Sequence, residues 1–198
     1  MASVKKVLTQ YLKDKYNYTV GKDFVIFGIR GAVPDSDGDL IPSPQTFDKY
    51  DDTIGFLNKD SCHVYLGTVD PGKKYTDQPM NVNGCAHMVN GFYDYKRGIH
   101  IDHPAFIQAG KIKIWRDKNR NGINDDGIIE EGFFAVDLHA GSGNKLHIYG
   151  WSAGCQNTCG DWNSKDWKEF QSTLYASPQE IFKYCLLDFF EIEKELDK

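Results

Sequence analysis

Short apolar and aromatic runs, each cut off by a glycine- or aspartate-bearing turn, recur along most of this chain and point to a β-rich domain. The candidate strands are residues 23–30, 52–58, 62–68, 92–96, 105–108, 111–116, 132–138 and 145–149. The first reads Asp23-Phe24-Val25-Ile26-Phe27-Gly28-Ile29-Arg30, a buried strand by its β-branched and aromatic content. Aromatic residues at 14% and 19 glycines support the same reading, because one packs on pleated surfaces and the other makes turns. Strands this short and this close in sequence predict a β-sandwich or barrel.

Helices frame the strands. Ser3 is a plausible N-cap for a segment through residue 15 in which Val4, Val7, Leu8, Tyr11 and Leu12 share one face. Ser164 caps a second segment with Trp167, Phe170 and Leu174 on one side. Ser177-Pro178-Gln179-Glu180 reads as a capping box that opens a last helix bearing Ile181, Tyr184, Leu187 and Phe190. With no repeat and no linker, the expectation is one mainly β (α+β) domain over residues 1–198. It has an N-terminal helix at 1–18, a β-rich catalytic core at 23–160 and C-terminal helices at 164–198. A chain of 198 residues can bury a core without staples.

Charge and composition remove several function classes. The net charge is −5 and no lysine or arginine stripe stands out, so the footprint of a nucleic-acid binder is missing. No apolar run approaches the ~20 residues that span a bilayer. The N-terminal residues lack the apolar core and cleavage site of a signal peptide, so the expectation is synthesis in the cytoplasm and action after release or delivery. The five cysteines, Cys62, Cys85, Cys155, Cys159 and Cys185, are odd in number and form no CxxC pair. That argues against a zinc site and against a secreted disulfide framework.

Chemistry concentrates in Val136-Asp137-Leu138-His139-Ala140-Gly141 and in His147-Ile148-Tyr149-Gly150-Trp151-Ser152-Ala153-Gly154-Cys155-Gln156-Asn157. A thiol attacks as thiolate and needs a base or a positive neighbour, and histidine is the usual base. His139 ends a predicted strand, a rigid place for that base, and His147 is the alternative. Ser152, Ala153 and Gly154 are small and offer backbone N–H groups to an oxyanion. Asp137 alternates with His139 along one strand and can orient its imidazole, or be a solvated carboxylate. Trp151 and Tyr149 flank the cysteine as substrate walls or as core.

His139, twelve intervening residues and Ser152-Ala153-Gly154-Cys155-Gln156-Asn157 resemble the signature of the L,D-transpeptidase (YkuD-like) family, a histidine followed by Ser/Thr-His-Gly-Cys, a hydrophobic residue and Asn or Arg. Gly28-Ile29-Arg30-Gly31-Ala32, Tyr50-Asp51-Asp52, Thr68-Val69-Asp70-Pro71-Gly72, Gly98-Ile99-His100 and Trp115-Arg116-Asp117 extend the resemblance over about residues 23–173. Ala153 stands where the family carries its second histidine, and Gln156 replaces a hydrophobic residue. The resemblance implies a YkuD-like β-fold and peptidoglycan stem peptides as partners. Cys155 would form a thioester at an L,D peptide bond, His139 would be general base, and His100 and Asn157 would line the substrate groove. Amine resolution of the thioester gives a transpeptidase, and water gives a carboxypeptidase or endopeptidase. No cofactor is expected for catalysis.

Other signals compete. Asp117, Asn119, Asn121 and Asp126 space oxygen ligands around Gly122 like the first half of a calcium loop, or form a polar turn. Ile128 sits at the twelfth position, with Glu130 or Glu131 as the nearest substitute for a bidentate ligand, so a structural calcium is expected as an option only. The run at 35–39 is a weaker example of the same pattern. His63, His87, His100 and His103 lack metal-ligand spacing and are expected in surface or structural roles, with His100-Ile101-Asp102-His103 as a metal-binding option, and Cys159 can trap Cys155 on oxidation or stand by. The competing functions are a Cys/His peptidase of other specificity and a non-catalytic, calcium-stabilised β-domain of a virion or surface. Alkylation of Cys155 at neutral pH is expected to separate enzyme from binder.

Overall fold

The computed structural model describes residues 3–123, 125–143 and 146–196. Thirteen strands follow in chain order: β1 (Val25–Arg30), β2 (Ala32–Pro34), β3 (Leu40–Pro42), β4 (Asp52–Leu57), β5 (Cys62–Thr68), β6 (Cys85–Met88), β7 (Gly91–His100), β8 (His103–Gln108), β9 (Ile112–Asp117), β10 (Ile129–Gly132), β11 (Leu138–Ala140), β12 (Gln156–Thr158) and β13 (Ile181–Asp188). The helices are α1 (Val4–Tyr16), α2 (Lys73–Asp77), α3 (Lys165–Ala176) and α4 (Glu193–Leu196), with a 3-10 turn at Phe189–Glu191. The architecture is mainly β. Eight strands close a barrel in the order β1-β13-β7-β8-β11-β12-β5-β4, a three-stranded sheet β10-β9-β6 lies beside it, and β2-β3 forms a hairpin.

Alternation along the strands separates two cores. Ile26, Phe56, Tyr95, Phe106, Leu138, Phe182, Tyr184 and Leu186 belong to one apolar cluster, joined by Trp167, Phe170 and Leu174 of α3. On the other face of β1 and β13, Val25, Phe27, Ile29, Cys185 and Leu187 pack against Val4, Val7, Leu8 and Leu12 of α1. Both long helices start as their caps predict: Ser3 accepts from the Lys6 N–H and Ser164 from the Trp167 N–H. Among the described residues no helix is long and apolar enough to cross a membrane.

The expected C-terminal helix is instead the longest-range strand of the barrel. β13 pairs in parallel with β1 and antiparallel with β7, so the core does not end at residue 160. Helical and strand readings of residues 181–188 compete because the run is apolar on both faces. Burial inside the barrel and under α1 decides for the strand. Ser177 closes α3, and Gln179 does not cap a helix. Its side chain accepts from the Phe24 N–H and donates to the carbonyls of Phe24 and Ile181.

Two other expected strands are also corrected. Residues 133–137 leave the sheet because Gln108 Oε1 accepts the N–H groups of Phe134 and Val136, replacing a partner strand with a side chain. Residues 146–149 form a turn tied to Asp48, whose carbonyl and carboxylate accept from the N–H groups of Ile148 and Tyr149. Tyr149 is left-handed there at φ 49°. Lys145 of that expected strand lies outside the described residues.

Side-chain burial gives opposite expectations for the helix and the strand at 181–190. Phe182→Ala should cost about 3–5 kcal/mol in urea unfolding, whereas Phe190→Ala, at a side chain 71% exposed, should stay within about 0.5 kcal/mol. Equal losses at both positions would restore the helical reading.

Candidate active site

The parallel pair β11–β12 sets the frame: Leu138 lies opposite Gln156, His139 opposite Asn157, and Ala140 opposite Thr158. Leu138 and Ala140 face the apolar core, so His139 and Asn157 fall on the other face. Cys155 directly precedes β12 and Asp137 directly precedes β11, with the Gln156 N–H donating to the Asp137 carbonyl at 2.8 Å. His100 arrives from the β7–β8 hairpin, whose turn residues Ile101 and Asp102 are both left-handed. One ligating atom from each of His100, His139 and Cys155 lies within 4.8 Å of the others.

Each imidazole is held by a different acceptor. His139 Nδ1 sits 2.7 Å from the Ala140 carbonyl, which fixes the proton on Nδ1 in the neutral ring and leaves Nε2 as its basic nitrogen. Asn157 Nδ2 is 3.0 and 3.1 Å from the two ring nitrogens, a position against the ring face and in line with neither lone pair. Asn157 is fully buried, so it packs on His139 and does not line a groove. His100 Nδ1 is 2.9 Å from Asp137 Oδ2. Asp137 therefore holds His100, and not His139 as strand alternation suggested.

The rings form one stack. His100 and His139 lie 4.0 Å apart between centroids, Trp162 covers the stack at 5.6 Å from His139, and His103 continues it at 4.3 Å from Trp162. The pairing of Trp162 with His103 has no signature in the sequence. A lone Trp in a polar loop after the cysteine carries no periodic signal.

Burial sets the protonation states. The Cys155 thiol is pushed up to about 12, mainly by burial, with Asp137 and Cys85 adding to the rise and the Asp137 backbone N–H opposing it. His139 is pushed down to about 3, again mainly by burial and then by His100, against the pull of the Ala140 carbonyl. The resting pair is thus a neutral thiol beside a neutral imidazole. With Cys155 only 7% exposed, alkylation at neutral pH is slow in an enzyme and a binder alike.

The small residues before Cys155 build a locked turn. Ser152 Oγ accepts from the Gly154 N–H at 3.1 Å and donates to the Cys155 carbonyl at 2.8 Å. The Ala153 carbonyl faces the Cys85 thiol. The Gly154 amide is therefore spent inside the turn and is not an open oxyanion donor. Gly154 itself is required: its φ is +125°, and an added Cβ would meet the Ala86 carbonyl oxygen at 2.6 Å.

Several expected residues lie elsewhere. His147 Nδ1 pairs with Asp48 Oδ2 at 3.1 Å and is outside the cluster. Tyr149 is 61% exposed and Trp151 38% exposed, so neither is core. Cys159 packs with Tyr50 and Ile148 in a separate cluster. In the loop at 117–126, Asp117 accepts from the N–H groups of Asn121 and Gly122. Asp126 accepts from those of Lys118 and Asn119, and the amides of Asn119 and Asn121 donate to Asp125. Calcium would share these oxygens with the protons that hold the turn. Glu130 is engaged by Arg116, and Asn124 lies outside the described residues. Asp35 likewise accepts from the N–H groups of Asp37 and Asp39 in the β2–β3 turn.

One thiolate and two imidazoles also form the donor set of a zinc or copper site with an open position. The His100 and His139 planes are only 14° apart and their centroids 4.0 Å, so their lone pairs lie in separate, nearly parallel planes. One ring has to turn for both to reach a single ion.

Compared with known proteins, the chain matches no family model, no curated protein and no solved structure.

Because His139 is held neutral, its contribution is present above the unfolded value near 6.5 and is lost as pH falls from there toward about 3. Linkage puts this on the order of 4–5 kcal/mol. His139→Gln should flatten the stability profile between pH 6 and 4 in urea titrations. An unchanged profile would mean that the ring is not buried neutral.

Proposed function

We propose that this protein is a cysteine acyl-transfer enzyme acting on peptidoglycan stem peptides, in the manner of the L,D-transpeptidase family that its His139 and Ser152–Asn157 residues resemble. The observation that carries the reading is the meeting of the Cys155 thiol with the imidazole of His139, sixteen residues earlier in the chain, in one buried cluster. A closed, mainly β barrel supports it as the fold class the resemblance implies.

The chemistry follows from the protonation states. A neutral pair reacts by general-base catalysis: His139 Nε2 takes the thiol proton as Sγ attacks the substrate carbonyl. The sulfur–carbon bond forms, and the tetrahedral intermediate collapses to a thioester. The departing amine leaves with the proton that His139 returns. An amine or a water then attacks the thioester and regenerates the thiol. The Ala140 carbonyl keeps the His139 tautomer, and the Asn157 amide keeps the ring in place.

His100 gives the site a second base. Its Nδ1 faces the Asp137 carboxylate, which keeps a proton on Nδ1 and orients the ring. His139 is again a free base once it has returned its proton to the leaving amine, and His100, held by Asp137, is a second one beside it for activating the incoming amine or water. This arrangement places an imidazole beside the cysteine although Ala153 has replaced the family's second histidine.

Mass spectrometry of tetrapeptide and cross-linked muropeptides tests the reading. Wild type should change their masses and Cys155→Ala should not, with the product masses distinguishing amine from water as acceptor. His139→Gln should lower the rate by roughly 10²–10⁴-fold. Asp137→Asn should slow thioester resolution more than its formation, so that the acyl-enzyme accumulates. A strong chelator should leave turnover unchanged; its loss on chelation would favour the His2Cys metal reading. No product with any stem peptide would remove the proposal.

A further inference from the structure

A cavity of about 220 Å³ opens between the loop before β4, the turn after β5, β6 and the turn at 121–123. Asp51, Asp70 and His87 supply its polar wall, and Phe47, Ile123 and Ile148 its apolar wall. Neither the cysteine chemistry nor the barrel core accounts for how these groups are arranged.

His87 is the informative side chain. It is 3% exposed, and its Nδ1 lies 3.1 Å from Asp70 Oδ1. Asp70 is a secured anion: Arg30 Nε donates to its Oδ2 at 3.0 Å and Arg30 Nη2 to its Oδ1 at 3.2 Å. Burial works against its charge, but Arg30 and His87 outweigh burial and hold the carboxyl below its ordinary range. The proton between the two therefore belongs to His87 Nδ1, and in the neutral ring Nε2 keeps a lone pair. That Nε2 is buried and has no hydrogen-bond partner. A buried acceptor left unsatisfied is costly, so a group that donates to it is favoured.

The neighbours define that donor's charge. Asp51 takes one hydrogen bond through Oδ2, from the Thr46 N–H. Burial first, and Asp70 second, push it up to about 6, as expected of a carboxylate short of positive partners. Asp48 also borders the cavity but is fully used by the N–H groups of Lys73 and Tyr149 and by His147. Lys49 is the single lysine in the lining, against three aspartates. A phosphate or carboxylate would meet carboxylates and a lone pair, so an anion is disfavoured. A metal ion needs converging ligands, and among the described residues the set of three that converges is His100, His139 and Cys155.

We propose that this cavity binds a primary alkylammonium group, such as a lysine-like side chain, with the ammonium between His87 Nε2 and Asp51 and the methylenes against Phe47, Ile123 and Ile148. An ammonium carries three donors and a positive charge, which answers the lone pair and the Asp51 carboxylate together. The apolar wall takes the chain that a lysine-like group brings. The site is independent of the cysteine chemistry and stands or falls without it.

The test uses the full chain and n-butylammonium, followed by NMR of the histidine rings, with n-butanol and butyrate as controls of equal chain length. Butylammonium should give a saturable shift of the His87 ring signals and leave those of His139 in place. Asp51→Asn, an isosteric change at a partly exposed loop position whose folding is checked by its melting temperature, should weaken binding at least tenfold. Phe47→Ala should weaken it less and is the second variant should Asp51→Asn unfold. Three outcomes overturn the proposal. The controls shift His87 as strongly as butylammonium, no probe shifts His87 and the cavity holds water alone, or both variants bind as wild type does.

Discussion

Closure of the barrel by β13 is the constraint on which the rest of the structure depends. Ile181–Asp188 enters between β1 and β7 and supplies both edges with partners at once. One face of the strand sends Phe182, Tyr184 and Leu186 inward, and the other sends Cys185 and Leu187 under α1. The same strand reaches the site. Tyr184 donates its hydroxyl to Gln156 Oε1 at 2.7 Å, and Gln156 Nε2 donates to the Val69 carbonyl at 3.2 Å. A fully buried glutamine is thus satisfied from two sides and holds the start of β12, one residue after Cys155.

From that anchor the site is assembled by short-range consequences. The parallel β11–β12 register puts His139 beside Asn157. The Ser152 hydroxyl ties off the turn so that Cys155 emerges where β12 begins. The β7–β8 hairpin then lays His100 onto His139, with Asp137 as its carboxylate. Low solvent access raises the thiol, lowers His139, and makes the pair neutral at rest. A neutral pair stores no reactive thiolate. In the proposed reaction, its nucleophilicity would depend on a substrate carbonyl arriving where the proton can move.

Much of the fold could be read from the sequence because the signals were local. Ser3 and Ser164 cap the helices they precede, and β5 runs over the expected residues 62–68. What escaped was decided by partners far away in the chain. Gln156-Asn157-Thr158 forms a barrel strand with no apolar residue in it, so no hydrophobic pattern announces it. Residues 181–188 carry apolar side chains on every face, which fits a helix or a strand until β1 and β7 are in place. At the site, the spacing of His139 and Ser152–Asn157 singled out Cys155 and His139, and the fold brings the two into one cluster. The allegiance of Asp137 was not legible, since spacing along one strand cannot show a histidine arriving from another hairpin. The stack of His103 and Trp162 on that cluster was hidden for the same reason.

The claim at the centre of this account is the neutral Cys155–His139 pair with the proton on His139 Nδ1. Nitrogen-15 NMR of the imidazole rings measures it directly, with His139→Gln and His100→Gln used for assignment. The account predicts that His139 shows one protonated nitrogen, Nδ1, and one bare nitrogen, Nε2, from pH 8 down to pH 5. Two protonated nitrogens on His139 at neutral pH, reverting to one in Cys155→Ala, would instead reveal a thiolate–imidazolium pair and contradict it.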